Sequence, residues 1–271
     1  MSFELLLIGN ELLTGNILNT NSRWLARRIT KLGGDVKGIY TVKDDVKDIA
    51  NIVNYILLRK PDYLIITGGL GPTFDDKTLQ GVSVALKKRL IVNEESLKSI
   101  REKYRKLFVK GVIKTDEMLK SRVKMAMLPE GSTPLENPVG TAPAVKIEYN
   151  NTRIFCLPGV PKEVKAVFQK YINPILKKEM KGFKYYEKNI IVEGVAESEI
   201  SEDVERIVKK VKSVYIKSHP QSYEGTARLN IHLSTRGGEN RLKRLNTAVK
   251  MVEELVNSIG GRVVAGARYE R

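Results

Sequence analysis

The sequence holds one cysteine, one tryptophan and two histidines in 271 residues, and only 7% of it is aromatic. A single thiol, Cys156, forms no internal disulfide, so folding in a reducing compartment, the cytoplasm, is expected. Its neighbours Phe155 and Leu157 make it read as a buried, inert thiol. Long apolar runs are missing as well: Leu5 to Ile8 and Tyr63 to Ile66 are strand-sized, far short of the roughly 20 residues that cross a bilayer. Glu4 precedes the first run and no small-residue cleavage pattern follows, which argues against a secretion signal. His219 and His232 lack metal-binding partners at a useful spacing and read as turn or packing residues. There is no Gly-x-Ser-x-Gly elbow, and Arg101-Glu102 is not followed by the glutamates of a Nudix helix. Repeats and low-complexity segments are absent.

What is present suits a globular protein. Hydrophobic residues make up 42% and charged residues 29%, in a length that fits one large domain or two modest ones. The formal charge is +16. Residues 176–271 carry 19 basic and 13 acidic side chains against 28 and 18 in residues 1–175, so the surplus is spread evenly. That distribution describes a solvated Lys/Glu-rich surface better than a nucleic-acid stripe, and nucleic acid is not an expected partner.

Residues 3–8 read as a buried strand, followed by a loop from Gly9 to Asn21 and a helix capped by Ser22, with Leu25, Ile29 and Leu32 on one face. Val36 to Val42 alternates as a strand, Asp44-Asp45 opens a helix, and Tyr63 to Thr67 is a further continuous apolar strand. A third helix is expected from Asp75 onward, then helices near 94–108 and 115–124. Strands at 125–128, 142–149 and 153–157 follow, and a helix from Pro161 to about Tyr171 is expected, with Pro174 marking its end. Strands apolar on both faces, alternating with helices, imply a mostly parallel sheet covered on both sides. From Tyr185 the rhythm becomes βαββαβ, a small α+β domain of the split βαβ or KH-like type, although without the Gly-x-x-Gly clamp that grips RNA. The expected domains are residues 1–175 and 184–271, with the boundary near 174–184.

The chemistry concentrates in four polar loops. Thr67-Gly68-Gly69-Leu70-Gly71-Pro72-Thr73-Phe74-Asp75-Asp76 runs from a buried strand toward a helix, so glycine amides can approach a bulky anion. It matches neither the P-loop nor the dinucleotide fingerprint. Two carboxylates, Asp75 and Asp76, make sense beside phosphate if a divalent cation bridges them. Gly9 to Ser22 occupies the equivalent place after the first strand, with Asn10, Glu11, Asn19 and Asn21 as candidates; the two latter asparagines read equally well as cap and turn residues. In a parallel sheet both loops leave the same edge and can share one crevice. Asn137 to Pro143 and Leu157 to Glu163 complete the set, and four such loops fit a nucleotide pocket.

The segments GNELLTGNILNTNS (Gly9 to Ser22), TGGLGPTFDDKT (Thr67 to Thr78), NPVGTAP (Asn137 to Pro143) and LPGVPKE (Leu157 to Glu163) resemble, in order and spacing, the N-terminal part of the CinA family. That part belongs to the molybdopterin-binding superfamily of MoaB and MogA. The resemblance implies a three-layer α/β/α domain with a smaller α+β domain after it, usually as a homodimer, binding a small-molecule nucleotide or pterin. It assigns the phosphate to Gly68, Gly69, Gly71 and Thr73. Metal would go to Asp75 and Asp76, with Glu11 nearby, and Asn137, Gly140, Thr141, Pro158 and Gly159 would shape the pocket; the catalytic groups expected are Asp76, Asp75 and Glu11, the last as a metal ligand or water-orienting base. The cofactor implied is divalent magnesium or cobalt, with potassium sometimes accompanying it. Asn19 stands where many relatives have Asp, and no C-terminal deamidase module is present, so no nicotinamide-nucleotide deamidation is expected. The expected activity is metal-dependent hydrolysis of a dinucleotide pyrophosphate, of the ADP-ribose or FAD type, to AMP. The alternative is a molybdopterin- or nucleotide-binding protein of molybdenum cofactor metabolism, either an adenylyltransferase or non-catalytic.

Overall fold

A computed structural model of the chain describes residues 1–221 and 227–268. It divides into two compact units, residues 1–30 with 34–179 and residues 31–33 with 180–271.

The first unit runs β1 (Ser2–Ile8), α1 (Asn10–Leu13), α2 (Thr20–Lys31), β2 (Asp35–Val42), α3 (Val46–Leu58), β3 (Tyr63–Thr67) and α4 (Thr78–Leu86). It continues through β4 (Leu90–Val92), α5 (Glu94–Val109), α6 (Lys120–Lys124), β5 (Met127–Pro129), β6 (Thr133–Leu135), β7 (Ala144–Tyr149) and β8 (Thr152–Leu157). α7 (Pro161–Val167), a wide π turn (Phe168–Ile172) and α8 (Asn173–Glu179) close it. Six strands form one sheet in the order β2-β1-β3-β8-β7-β6. The first four are mutually parallel, and β7 and β6 add an antiparallel margin.

Both sheet faces are buried, which is why β1, β3 and β8 read as unbroken apolar runs. Leu6, Ile8, Leu64, Ile66, Ile154 and Cys156 pack on Ile49, Val53 and Ile56 of α3 and Val82 and Leu86 of α4. On the other face Phe3 stacks on Tyr63 at 4.7 Å between ring centroids, and Trp24 of α2 meets Phe168 edge-on at 5.3 Å. This is the expected three-layer α/β/α arrangement. The second unit orders its four strands β10-β11-β9-β12, all antiparallel: β9 (Lys184–Glu193), α9 (Glu197–Lys210), β10 (Tyr215–Gln221), β11 (Arg228–Gly237), α10 (Glu239–Ser258) and β12 (Arg262–Arg268). Ile190, Val192, Ile231 and Leu233 meet Ile200, Leu245, Val249 and Val252 in its own core.

Several boundaries differ from the sequence expectation, each for a local reason. The Gly9–Asn21 loop contains the short helix α1, and α2 starts at Thr20: Asn19 Oδ1 accepts from the Ser22 amide at 3.1 Å, so Asn19 is the cap and Ser22 lies inside the helix. α4 starts at Thr78, not Asp75, because the Asp76 carboxylate turns back to the Thr73 amide at 2.8 Å instead of capping forward. Helix formation over 115–119 is blocked where Arg122 takes the carbonyls of Thr115 and Glu117, leaving only α6. Pro174 does not end the helical run; it sits in the first turn of α8, just after the π turn, where a missing N–H is tolerated. β4 and β6, three residues each, are too short to show a period.

At Gly81 α4 lies close against α3: a Cβ there would lie 2.5 Å from Ile49 Cβ. Helix propensity alone favours Gly81→Ala by about 1 kcal/mol. The contact reverses the sign, so Gly81→Ala lowers the thermal midpoint, which a melting curve of the variant checks.

Candidate functional site

Four parallel strands deliver their carboxyl ends to one place. Gly9 follows β1, Asp44 follows β2, Gly68 follows β3 and Pro158 follows β8, and all four residues line a cleft of about 540 Å³. The chain leaves β1 for β2 on one side and returns to β3 on the other, so the cleft lies where the strand order reverses, the usual ligand crevice of open α/β sheets.

Gly68 sits where these ends meet. Its amide donates to Leu157 O at 3.2 Å and its carbonyl accepts from Thr78 Oγ1 at 2.7 Å. Its φ is +104°, and a Cβ would lie 2.1 Å from the Ile8 carbonyl oxygen. Gly69 is pressed against Thr78 Oγ1 and Gly71 against the Asp76 carboxylate, so a side chain at either would push the loop away. The amides of Gly69, Leu70 and Gly71 donate to no protein acceptor among the described residues. The Thr78 amide donates to Gly69 O, so this donor set is the loop itself and not the helix terminus expected at Asp75.

Asp75 and Asp76 converge on Thr73. The Thr73 hydroxyl lies within hydrogen-bond reach of Asp75 Oδ1 and of Asp76 Oδ2, the latter at 2.6 Å. Hydrogen bonds from that hydroxyl and from its own amide hold the Asp75 carboxyl below the usual range. Five carboxylates line the cleft (Glu11, Asp44, Asp75, Asp76 and Glu163), with no lysine or arginine among the lining residues. Asp44 responds to this crowding: partial burial raises its pKa first, and Glu11, Asp75 and Asp76 raise it further, against a bond from the Asn10 amide at 2.8 Å.

Of the expected residues, Glu11, Asn19, Asn21, Gly68, Gly69, Gly71, Thr73, Asp75, Asp76, Thr141, Pro158 and Gly159 all line the cleft. Two of these have structural duties: Asn19 caps α2, and Asn21 Nδ2 donates to Gly159 O at 2.7 Å, tying the first loop to the fourth. Asn10, Asn137 and Gly140 do not line it. Asn10 is spent on Asp44. Asn137 is fully buried and holds its own loop, accepting from the Gly140 amide at 2.9 Å and donating to Ala142 O at 3.0 Å and Glu163 Oε2 at 2.6 Å. Gly140 lies against Glu163, where a Cβ would collide. Sequence reasoning misses Asp44 as a site residue, although its place just after a parallel strand is the signal that selects the other loops. Cys156 is buried, as expected, and that burial pushes its thiol up to about 12.

Among the described residues no three His, Cys, Asp or Glu side chains gather as a metal cage. Asp75 and Asp76, which meet at Thr73, are the residues that could hold a hard, partly hydrated cation, most of whose oxygens would come from outside the protein.

Gly68→Ala is expected to cost at least about 2 kcal/mol, since left-handed strain adds to a backbone collision, whereas Gly15→Ala, with φ +75° and open space around it, costs only about 1 kcal/mol. Denaturant titration of both variants checks the difference. Because the folded state raises the Asp44 pKa, its stabilising contribution is present at low pH and lost as pH rises through that raised value. Asp44→Asn keeps an acceptor for the Asn10 amide, so the variant melts above the wild type at pH 7, and the gap closes below the ordinary carboxylate range. Equal melting curves at both pH values would refute this.

The family model described as "Probable molybdopterin binding domain" matches residues 4–178. A protein of Metallosphaera sedula is 39% identical over 262 residues, covering 95% of each chain. A Pyrococcus furiosus protein is 42% identical over 223 residues, covering 82% of this chain and 86% of its own. The crystal structure of CinA from Thermoplasma acidophilum, a protein of unknown function, is 32% identical with a TM-score of 0.58, over 65% of this chain and 99% of that one. The chain therefore belongs to the probable molybdopterin-binding domain family.

Proposed function

We propose that the cleft binds a phosphorylated pterin of the molybdopterin class or a nucleotide, with the phosphate on the amides of Gly69, Leu70 and Gly71. Asp75 and Asp76 would hold a divalent cation, magnesium or cobalt, beside it. The observation that carries this reading is the pairing of three unclaimed amides with a cleft wall whose charged groups are all acidic. Amides alone attract an anion; five carboxylates in a cleft lined by no lysine or arginine favour one that comes with a cation. Bound there, the cation neutralises phosphate charge and polarises a phosphoryl oxygen. The family's description supports the pterin as the first ligand to try.

The chain's own groups define the chemistry open to a bound ligand. Glycine amides would orient the phosphate, Thr73 holds the Asp75 and Asp76 carboxylates together, and Pro158, Gly159 and Thr141 also line the cleft. Two outcomes are compatible with this: adenylyl transfer to the pterin, or binding without turnover. Hydrolysis of a dinucleotide pyrophosphate to AMP is the second reading. It is favoured by Asp44, whose raised pKa makes it a better proton acceptor than an ordinary carboxylate, and by Glu11 in the same wall. The protein would act in the cytoplasm as a homodimer, which light scattering tests.

Three assays separate the readings: oxidative pterin fluorescence of the purified protein, AMP transfer to molybdopterin, and AMP release from ADP-ribose or FAD with magnesium or cobalt. Binding is expected in the first. Asp76→Asn should lower affinity for the phosphorylated ligand by about tenfold or more with the fold intact. Undiminished binding in Asp76→Asn overturns the cation's role, and no retention of pterin or nucleotide under any divalent ion overturns the reading as a whole.

A further inference from the structure

Lys124 stands behind the glycine loop at the end of α6. Its backbone has little freedom. Two residues earlier, the Arg122 guanidinium is buried, donates to Thr115 O at 2.9 Å and Glu117 O at 2.7 Å, and lies 3.9 Å from the Tyr104 ring centroid. Immediately after it, Met125 and Ala126 are buried in the core. From that fixed base the side chain runs along a small hollow of about 60 Å³, shared with Gly69, Gly71 and Asp76, and Nζ donates to the Thr73 carbonyl. The residue that it grips is the one on which the cleft's acid pair converges. A hydroxyl has a single proton, so Thr73 satisfies one of its two carboxylates at a time. The positive charges that act on Asp75 are Lys124 and Lys77, and of these only Lys124 is also bonded to the turn's backbone.

We propose that Lys124 is a positioning residue: pinned to the Thr73 carbonyl, it fixes the Thr73–Asp76 turn and so sets the two carboxylates for a partly hydrated divalent cation. This rests on the reading of the cleft given above. The role has an unusual signature. A lysine that is merely a counter-charge competes with the cation, so its removal would tighten cation binding; a lysine that holds the turn has the opposite effect.

The test uses the full chain, Mn²⁺ alone as probe, and Phe74, which is 88% exposed within the turn and open to chymotrypsin. Free Mn²⁺ is followed by electron paramagnetic resonance, and cleavage after Phe74 by mass spectrometry in ligand-free protein. Lys124→Met is expected to weaken Mn²⁺ binding by about tenfold or more and to speed cleavage several-fold, with Lys124→Arg restoring part of both. Lys124→Gln provides the same comparison if the methionine variant does not fold. Unchanged or tighter Mn²⁺ binding, or an unchanged cleavage rate, overturns the proposal. If the wild type retains no Mn²⁺ while Lys124→Met is still cut faster, the cation reading falls and the turn-holding role stands.

Discussion

The first unit is organised around one close approach, the backbone of Gly68 against the ends of two neighbouring strands. Ile8 O stands where a side chain would begin, Leu157 O takes the amide, and the Gly159 backbone is near enough that its own Cβ would touch Gly68 Cα at 3.4 Å. Only a residue without Cβ, held at positive φ, lets three parallel strands finish this close together. The loops that leave them are thereby forced into one crevice, and the acidic wall, the free amides and the Thr73 turn all depend on it.

Electrostatics divides this molecule in an unexpected way. The chain carries a surplus of 16 positive charges, yet the residues lining its cleft include five carboxylates and no lysine or arginine. A positive surface draws anions toward the protein, whereas the carboxylates of the cleft oppose them locally. Asp44 feels this: partial burial, and then Glu11, Asp75 and Asp76, raise its pKa above the ordinary carboxylate value.

The four loop segments are legible because each breaks an apolar strand with glycine, proline or asparagine at a position where a parallel sheet turns. Twelve of the expected residues line the cleft for that reason. Sequence reasoning fails at side chains with more than one partner within reach. Asn137 looks like a ligand-binding amide and is instead the buried organiser of its own loop, satisfied on both ends. Asp75 and Asp76 look like the first turn of a helix and instead fold back on Thr73. Asn10 is spent on Asp44, a residue 34 positions away in the chain.

Period, polarity and turn chemistry act over a few residues, and on that scale the sequence alone determined the alternation of strands and helices, the second βαββαβ unit and the glycine loop. Which carboxylates face one another, which asparagines are consumed by structure, and which lysine supports the acid pair were decided only in three dimensions. Those contacts join residues such as Thr73 and Lys124, or Asn21 and Gly159, that are far apart in the chain. A hydrogen-bonding side chain has several possible partners, and only the packed chain shows which of them it meets.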